Sequence, residues 1–101
     1  MAYVFDGDTL RLVGKTRLRT RLWGVDAPEK GEAGSDRARD ALITLAGGRK
    51  ITYIPIDTDR YGRTVARVFL RDGREINRLL IDSGVAKEYC RYSKGFYGRC
   101  K

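Results

Sequence analysis

The sequence predicts a β-rich α+β domain built on one five-stranded sheet. Three observations predict it. Five stretches alternate apolar with polar side chains or are rich in β-branched and aromatic residues. Glycines and aspartates that favour turns separate them. One longer stretch with helical spacing lies between the third and fourth. The chain has 101 residues, which suits a single domain spanning 1–101.

Tyr3 to Phe5 reads as a short first strand, and Asp6-Gly7-Asp8 as a turn. Thr9 to Val13 sets Leu10 and Leu12 against Arg11, a second strand, and Gly14-Lys15 turns the chain. Thr16 to Val25 reads as one third strand. Its Leu18, Thr20 and Leu22 share a face, and Arg17, Arg19 and Arg21 share the other, so the arginines meet solvent or a ligand. Lys30 to Gly34 is a polar loop, after which Ser35 should cap a helix. Ala38, Ala41, Leu42 and Leu45 give that helix its apolar face, and Gly47 ends it.

Lys50 to Ile56 is the fourth strand, where Pro55 implies an edge or a bulge. Asp57 to Gly62 turns into the fifth strand, Thr64 to Arg71, and Asp72-Gly73 is a hairpin turn. Asn77 is expected to cap a second, short helix through Ser83, with Leu79 and Leu80 inward and Gly84 as its stop. Val85 to Tyr89 is extended, and the basic, tyrosine-rich tail begins at Cys90. Five strands with a helix between the third and fourth fit a small closed barrel of the OB type.

Charge narrows the function. Lys and Arg number 21 against 13 Asp and Glu, a net charge of +8, which suits a polyanion such as nucleic acid or simply a soluble basic surface. No apolar run approaches a membrane span, and the first residues do not read as a signal peptide. The chain has no histidine, so histidine bases and histidine metal ligands are excluded. Hydrolysis here would need a carboxylate or a metal-bound water as base. Cys90 and Cys100 cannot make a zinc site without histidine partners. They either bridge the tail or remain free thiols; the disulfide is the expected state.

Three stretches carry chemistry. Asp6, Asp8, Asp26 and Glu29 lie in two turns beside strands that should be neighbours. Clustered carboxylates repel unless a cation sits among them, and an all-oxygen set suits Ca²⁺ or Mg²⁺. Each turn alone is better explained as ordinary Asp-Gly or Asp-x-Pro turn chemistry. Together, beside arginines, they favour the metal. Phosphodiester cleavage builds negative charge on phosphorus-bound oxygens, which guanidiniums at Arg21 and Arg63 would stabilise. Either arginine alone is better read as a surface ion pair.

Asp6-Gly7-Asp8-Thr9, Arg21-Leu22-Trp23-Gly24-Val25-Asp26-Ala27-Pro28-Glu29 and Asp59-Arg60-Tyr61-Gly62-Arg63 together resemble the three signature motifs of the staphylococcal nuclease (thermonuclease) family, in the same order and at similar separations. Asp72-Gly73, Asn77 and Gly84-Val85-Ala86-Lys87 resemble its later segments, so the resemblance covers nearly the whole chain.

The resemblance implies an OB-fold barrel with helices packed on it. It implies Ca²⁺-dependent cleavage of DNA and RNA, single-stranded or frayed by preference, leaving 3′-phosphate ends. By motif, Asp8 and Asp26 would ligate calcium with the Ala27 backbone carbonyl, and Asp6 would stand in the outer shell. Glu29 would orient or deprotonate the attacking water, and Arg21 and Arg63 would bind the scissile phosphate. Arg60, Tyr61 and Tyr92 would contact substrate. Family habit and a disulfide together tilt location towards secretion or the cell envelope, and a lone barrel towards a monomer.

The departures are also specific. Ala27 stands where the best-known member has Thr, which a main-chain ligand tolerates. The first strand and the turn before Asp59 are short. The family's C-terminal helix has no counterpart; a Cys90–Cys100 bridge would pin the tail in its place, contributing about 2–3 kcal/mol. Tyr61, Tyr89, Tyr92, Phe96 and Tyr97 could stack on bases or cover the barrel, and covering is the reading for Phe96. The competing function is a non-catalytic nucleic-acid- or protein-binding module on the same barrel. The joint presence of Asp8, Arg21, Asp26, Glu29 and Arg63 favours the enzyme.

Overall fold

The computed structural model describes residues 2–14 and 17–100. Its strands are β1 (Ala2–Asp6), β2 (Thr9–Val13), β3 (Arg17–Leu22), β4 (Val25–Asp26), β5 (Ile51–Thr58), β6 (Thr64–Leu70) and β7 (Lys87–Glu88). Its helices are α1 (Ser35–Ala46), α2 (Ile76–Asp82) and the single turn α3 (Cys90–Ser93). The main sheet has the order β1-β2-β3-β6-β5, and β4 pairs separately with β7. No helix among the described residues is long and apolar enough to cross a membrane.

The β-rich α+β reading with a five-stranded sheet holds. The expected closure does not: β1 and β5 are opposite edges, and no pairing between them exists among the described residues. The start of β1 is engaged elsewhere. Ala2 bridges Gly47, and the Gly48 N–H donates to the Ala2 carbonyl, so the segment leaving α1 occupies part of the edge that closure would use.

Alternation decides which way each strand faces. Leu10, Leu12, Thr20 and Leu22 are buried, as are Ala66, Val68 and Leu70 of β6. Ala38, Leu42 and Ala46 of α1 cover that face, joined by Ile76, Leu80 and Ile81 of α2. Each fully buried leucine contributes about 1.5–3 kcal/mol relative to exposure. β5 is an edge strand that bulges between Pro55 and Asp57, as the proline required.

Three expectations are corrected. The third strand is two: β3 ends at Leu22, and Gly24 at φ 71° turns the chain before β4. The buried positions change phase there, from Leu22 to Val25, and the left-handed Gly24 marks the break. The start expected at Thr16 lies outside the described residues. Ser35 is the first helical residue; Gly34 holds the N-cap position, without a side-chain cap. Asn77 lies inside α2, whose N-cap is Glu75. Instead, the buried Asn77 side chain accepts from the Val68 N–H at 3.0 Å and donates to the Trp23 carbonyl at 2.8 Å, tying β6 to the turn after β3.

The tail is docked rather than loose. Cys90 and Cys100 form a disulfide. Tyr97 is 3% exposed, so it covers the core and is unavailable for stacking on bases. Its hydroxyl donates to Glu75, which also receives both arms of the Arg67 guanidinium, at 2.9 and 3.2 Å. Burial and the neighbouring Glu75 carboxylate push the Tyr97 phenol up from its ordinary range. Phe96 packs edge-on against Trp23 and Tyr97, in the covering role read for it.

Candidate active site

β3 and β6 pair in parallel, with Arg21 opposite Val65, which brings the start of β6 beside the end of β3. Antiparallel pairing of β2 with β3 sets Thr9 opposite Arg21. Sequence-distant motifs therefore meet at one end of the sheet.

Arg21 is held by the turn that follows it. Its Nη1 donates to the carbonyls of Leu22 at 3.2 Å and Val25 at 3.1 Å, while Nη2 lies 3.6 Å from Asp8 Oδ2. The Tyr89 ring lies beneath the guanidinium, 5.6 Å from its centroid, and the Tyr89 N–H donates to the Gly24 carbonyl. These contacts fix a cation at the cleft wall and limit the entropy it loses on meeting a phosphate.

Arg63 is fixed by its own loop. The Asp59 carboxylate accepts from the backbone N–H groups of Tyr61 and Arg63, each at 2.9 Å, and from Arg63 Nε at 2.7 Å. Burial pushes the Asp59 carboxyl up, but those hydrogen bonds prevail and hold it below the ordinary range. Arg63 Nη1 reaches the Thr9 hydroxyl at 3.4 Å, and that hydroxyl donates to Asp8 Oδ1 at 3.1 Å. A continuous polar chain thus joins Arg63, Thr9, Asp8 and Arg21. The roles of Thr9 and Asp59 were not read from the sequence; both residues lie in the motifs, but their partners depend on loop geometry and strand register.

A cleft of about 900 Å³ opens between these arginines. Arg21, Glu29, Arg60, Tyr61, Arg63 and Tyr92 all line it. Glu29 is exposed, and its carboxylate has no partner among the described residues. Its backbone N–H is fixed by Glu32 Oε1 at 2.6 Å. Tyr61 is 64% exposed under the guanidiniums of Arg60 and Arg63, and Tyr92 is 57% exposed with its edge on Tyr89.

The acidic turn sits at the cleft's side. Asp8 Oδ2 accepts from the Ala27 N–H at 3.2 Å, and Asp6 Oδ1 accepts from the Asp8 N–H at 3.1 Å. Gly7 permits this approach: a Cβ there would fall 2.6 Å from Ala38 Cβ and 2.7 Å from Ala27 Cβ. Burial pushes the Asp8 carboxyl up to about 6, with Asp6 adding to the rise and Arg21 opposing it. The carboxylates of Asp6, Asp8 and Asp26 do not converge within 4.8 Å as a set among the described residues. The chemistry nevertheless fits a hard cation. Asp8 is largely buried beside the Asp6 carboxylate, Asp26 is exposed one residue before Ala27, and neither turn holds a histidine or cysteine; the Arg21 Nη2 at 3.6 Å and the Ala27 N–H at 3.2 Å are the groups now facing Asp8 Oδ2.

Comparison with known proteins decides the family. Residues 19–99 match the staphylococcal nuclease homologue family. The chain belongs to the staphylococcal nuclease family. An uncharacterized endonuclease of Escherichia coli O157:H7 is 33% identical over 91 residues, covering 89% of this chain and 60% of that protein. A micrococcal nuclease of Shigella flexneri is 34% identical over 100 residues, covering 90% of this chain and 58% of that one. Protein ParB of Escherichia coli is 37% identical over 105 residues, covering 95% and 56%. This nuclease-family domain therefore spans about 56–60% of the length of these relatives. The family match includes the Arg21–Glu29 and Asp59–Arg63 motifs, and so most of the cleft wall.

Proposed function

We propose that this domain is a calcium-dependent nuclease that cleaves DNA and RNA with little sequence preference and leaves 3′-phosphate ends. The observation that carries the reading is the placement of Arg21, Arg63 and Glu29 in one cleft: two held cations and one carboxylate without a protein partner. Membership of the staphylococcal nuclease family supports it, as do relatives named endonuclease and micrococcal nuclease.

Arg21 and Arg63 bind the scissile phosphate and stabilise the charge that grows on its oxygens as the bond order changes. Glu29 orients a water and takes its proton while the water oxygen bonds to phosphorus and the P–O5′ bond breaks, and the departing O5′ takes a proton from solvent to become the 5′-hydroxyl. Asp8, Asp26 and the Ala27 carbonyl are the groups that would hold the calcium, with Asp6 in the outer shell. When bound, calcium supplies positive charge to the phosphate oxygens and the water. Tyr61 and Tyr92 stack on the flanking bases, and Arg60 attracts the adjoining phosphate. None of these contacts reads a base edge, so sequence preference is low.

The test is the chemistry of the product ends. Digested single-stranded DNA and RNA should carry 5′-hydroxyls that a polynucleotide kinase labels directly. Products that accept label only after phosphatase treatment would reject the assigned bond cleavage.

A further inference from the structure

The outer face of β1–β3 is an aromatic and basic surface separate from the cleft walls. Tyr3 of β1 pairs with Arg11 of β2, and Arg11 pairs with Arg19 of β3, forming a row across three strands. Tyr3 is 56% exposed and Phe5 48%, and Arg17 and Arg19 are exposed as well. The Arg11 guanidinium lies 5.3 Å from the Phe5 ring centroid. Alternation puts Arg17, Arg19 and Arg21 on this same face, opposite buried Thr20 and Leu22. The face therefore runs straight into the phosphate-binding end of β3.

The arrangement is costly in isolation. Arg11 and Arg19 stand directly opposite each other on neighbouring strands, where like charges destabilise a sheet. Neither forms an ion pair among the described residues. Asp6, at the turn, is the one acidic residue in the three strands. A polyanion laid across this face would relieve the repulsion, and the interleaved rings offer platforms to bases.

We propose that the Tyr3–Phe5–Arg11–Arg17–Arg19 face is a binding track for single-stranded nucleic acid, which carries the strand flanking the phosphate held at Arg21. The assignment of Arg21 rests on the nuclease reading above. From Arg21 to Arg17 the strand rises about 13 Å, at ~3.3 Å per residue, enough for roughly three or four stacked nucleotides at ~3.4 Å each. The track favours long substrates over short ones and is blind to sequence, because its contacts are to phosphates and ring faces.

The test is fluorescence anisotropy of labelled thymidylates, a mononucleotide and a dodecanucleotide, in calcium-free buffer across a salt series. The R11Q/R19Q double variant should bind the dodecanucleotide about tenfold more weakly, with a salt slope shallower by about 1.4, for two lost phosphate contacts. Its loss on the mononucleotide, which is too short to span the track, should be smaller. F5A should weaken the dodecanucleotide without changing the slope. An unchanged slope, an equal loss on both lengths, or displacement of the oligonucleotide by polyglutamate at equal charge would overturn the track. Relief of the Arg11–Arg19 repulsion should leave the double variant melting no lower than the parent; should it unfold, R19Q alone carries the same comparison. Binding as described without cleavage in calcium would sink the nuclease reading and keep the track. Normal cleavage with no effect of these variants on binding would sink the track alone.

Discussion

Tyr97 lies against Gly24, so closely that a Cβ on Gly24 would come within 3.0 Å of the Tyr97 ring edge. Ser93 Cβ would be 3.1 Å away, and Gly24 itself has φ 71°. The same turn supplies the Leu22 and Val25 carbonyls that hold Arg21. Tail docking and arginine placement therefore meet at one glycine. Gly24→Ala should cost about 2 kcal/mol or more through backbone strain and crowding. It should also lower turnover at temperatures where the variant is folded. Thermal melts and steady-state rates on single-stranded DNA check both; a variant as stable and active as the parent would refute the linkage.

The disulfide fastens that tail. Cys90 and Cys100 are 10 residues apart in sequence. Closing so short a loop stabilises by about 2–3 kcal/mol, which for a domain of this size corresponds to a melting shift of roughly 10 °C or more. Melting with and without reductant, with thiols counted, measures it. Reduction that leaves the melting temperature unchanged would show that the tail holds without its bridge.

Glu88 makes the tail sensitive to acid. Its buried carboxylate accepts from the Ser93 hydroxyl, from the Tyr97 N–H at 3.0 Å and from the Arg99 N–H at 2.7 Å. Burial alone would raise its pKa, but these hydrogen bonds outweigh burial and hold it below the ordinary carboxylate range. A folded-state value below the unfolded one means stability that is complete above the unfolded pKa, about 4.3. It is lost as pH falls through the folded value. Glu88→Gln should destabilise the domain at neutral pH by about 1.5–3 kcal/mol and flatten its stability profile below pH ~4. Denaturant melts across that range decide it; parallel profiles for parent and variant would contradict the account.

Much of this was visible in the sequence, and the losses have physical causes. Thr9–Val13 reads correctly to the residue because Leu10 and Leu12 alternate cleanly against Arg11. The arginine face of β3 was legible for the same reason. The break at Gly24 was not: Val25 falls in the arginine phase of β3 yet is buried, because it pairs with a different strand, β7. Asn77 stands where a cap would stand, and nothing local shows that its partners are Val68 and Trp23. The cleft residues were legible as motifs. Their supports, Thr9, Asp59 and Tyr89, act through contacts that only the folded chain creates. Tyr97 gave no sign of burial, since its partner Glu75 lies 22 residues away.

The cleft roles predict separable losses. Glu29→Gln, Arg21→Gly and Arg63→Gly should each lower turnover by about 10²–10³ while the fold is kept. Arg21→Gly and Arg63→Gly should also lose phosphate affinity. Rates near normal in any of the three, measured on a correctly folded variant, would show its role to be misassigned.

The central claim is that this oxygen-lined turn and paired-arginine cleft together make a calcium-dependent nuclease. Digestion of single-stranded DNA with calcium, and again with excess chelator, tests it most directly. Cleavage with calcium that stops on chelation and returns when calcium is restored is the predicted result. Cleavage that continues in excess chelator, or no cleavage by the folded domain with calcium present, would contradict it.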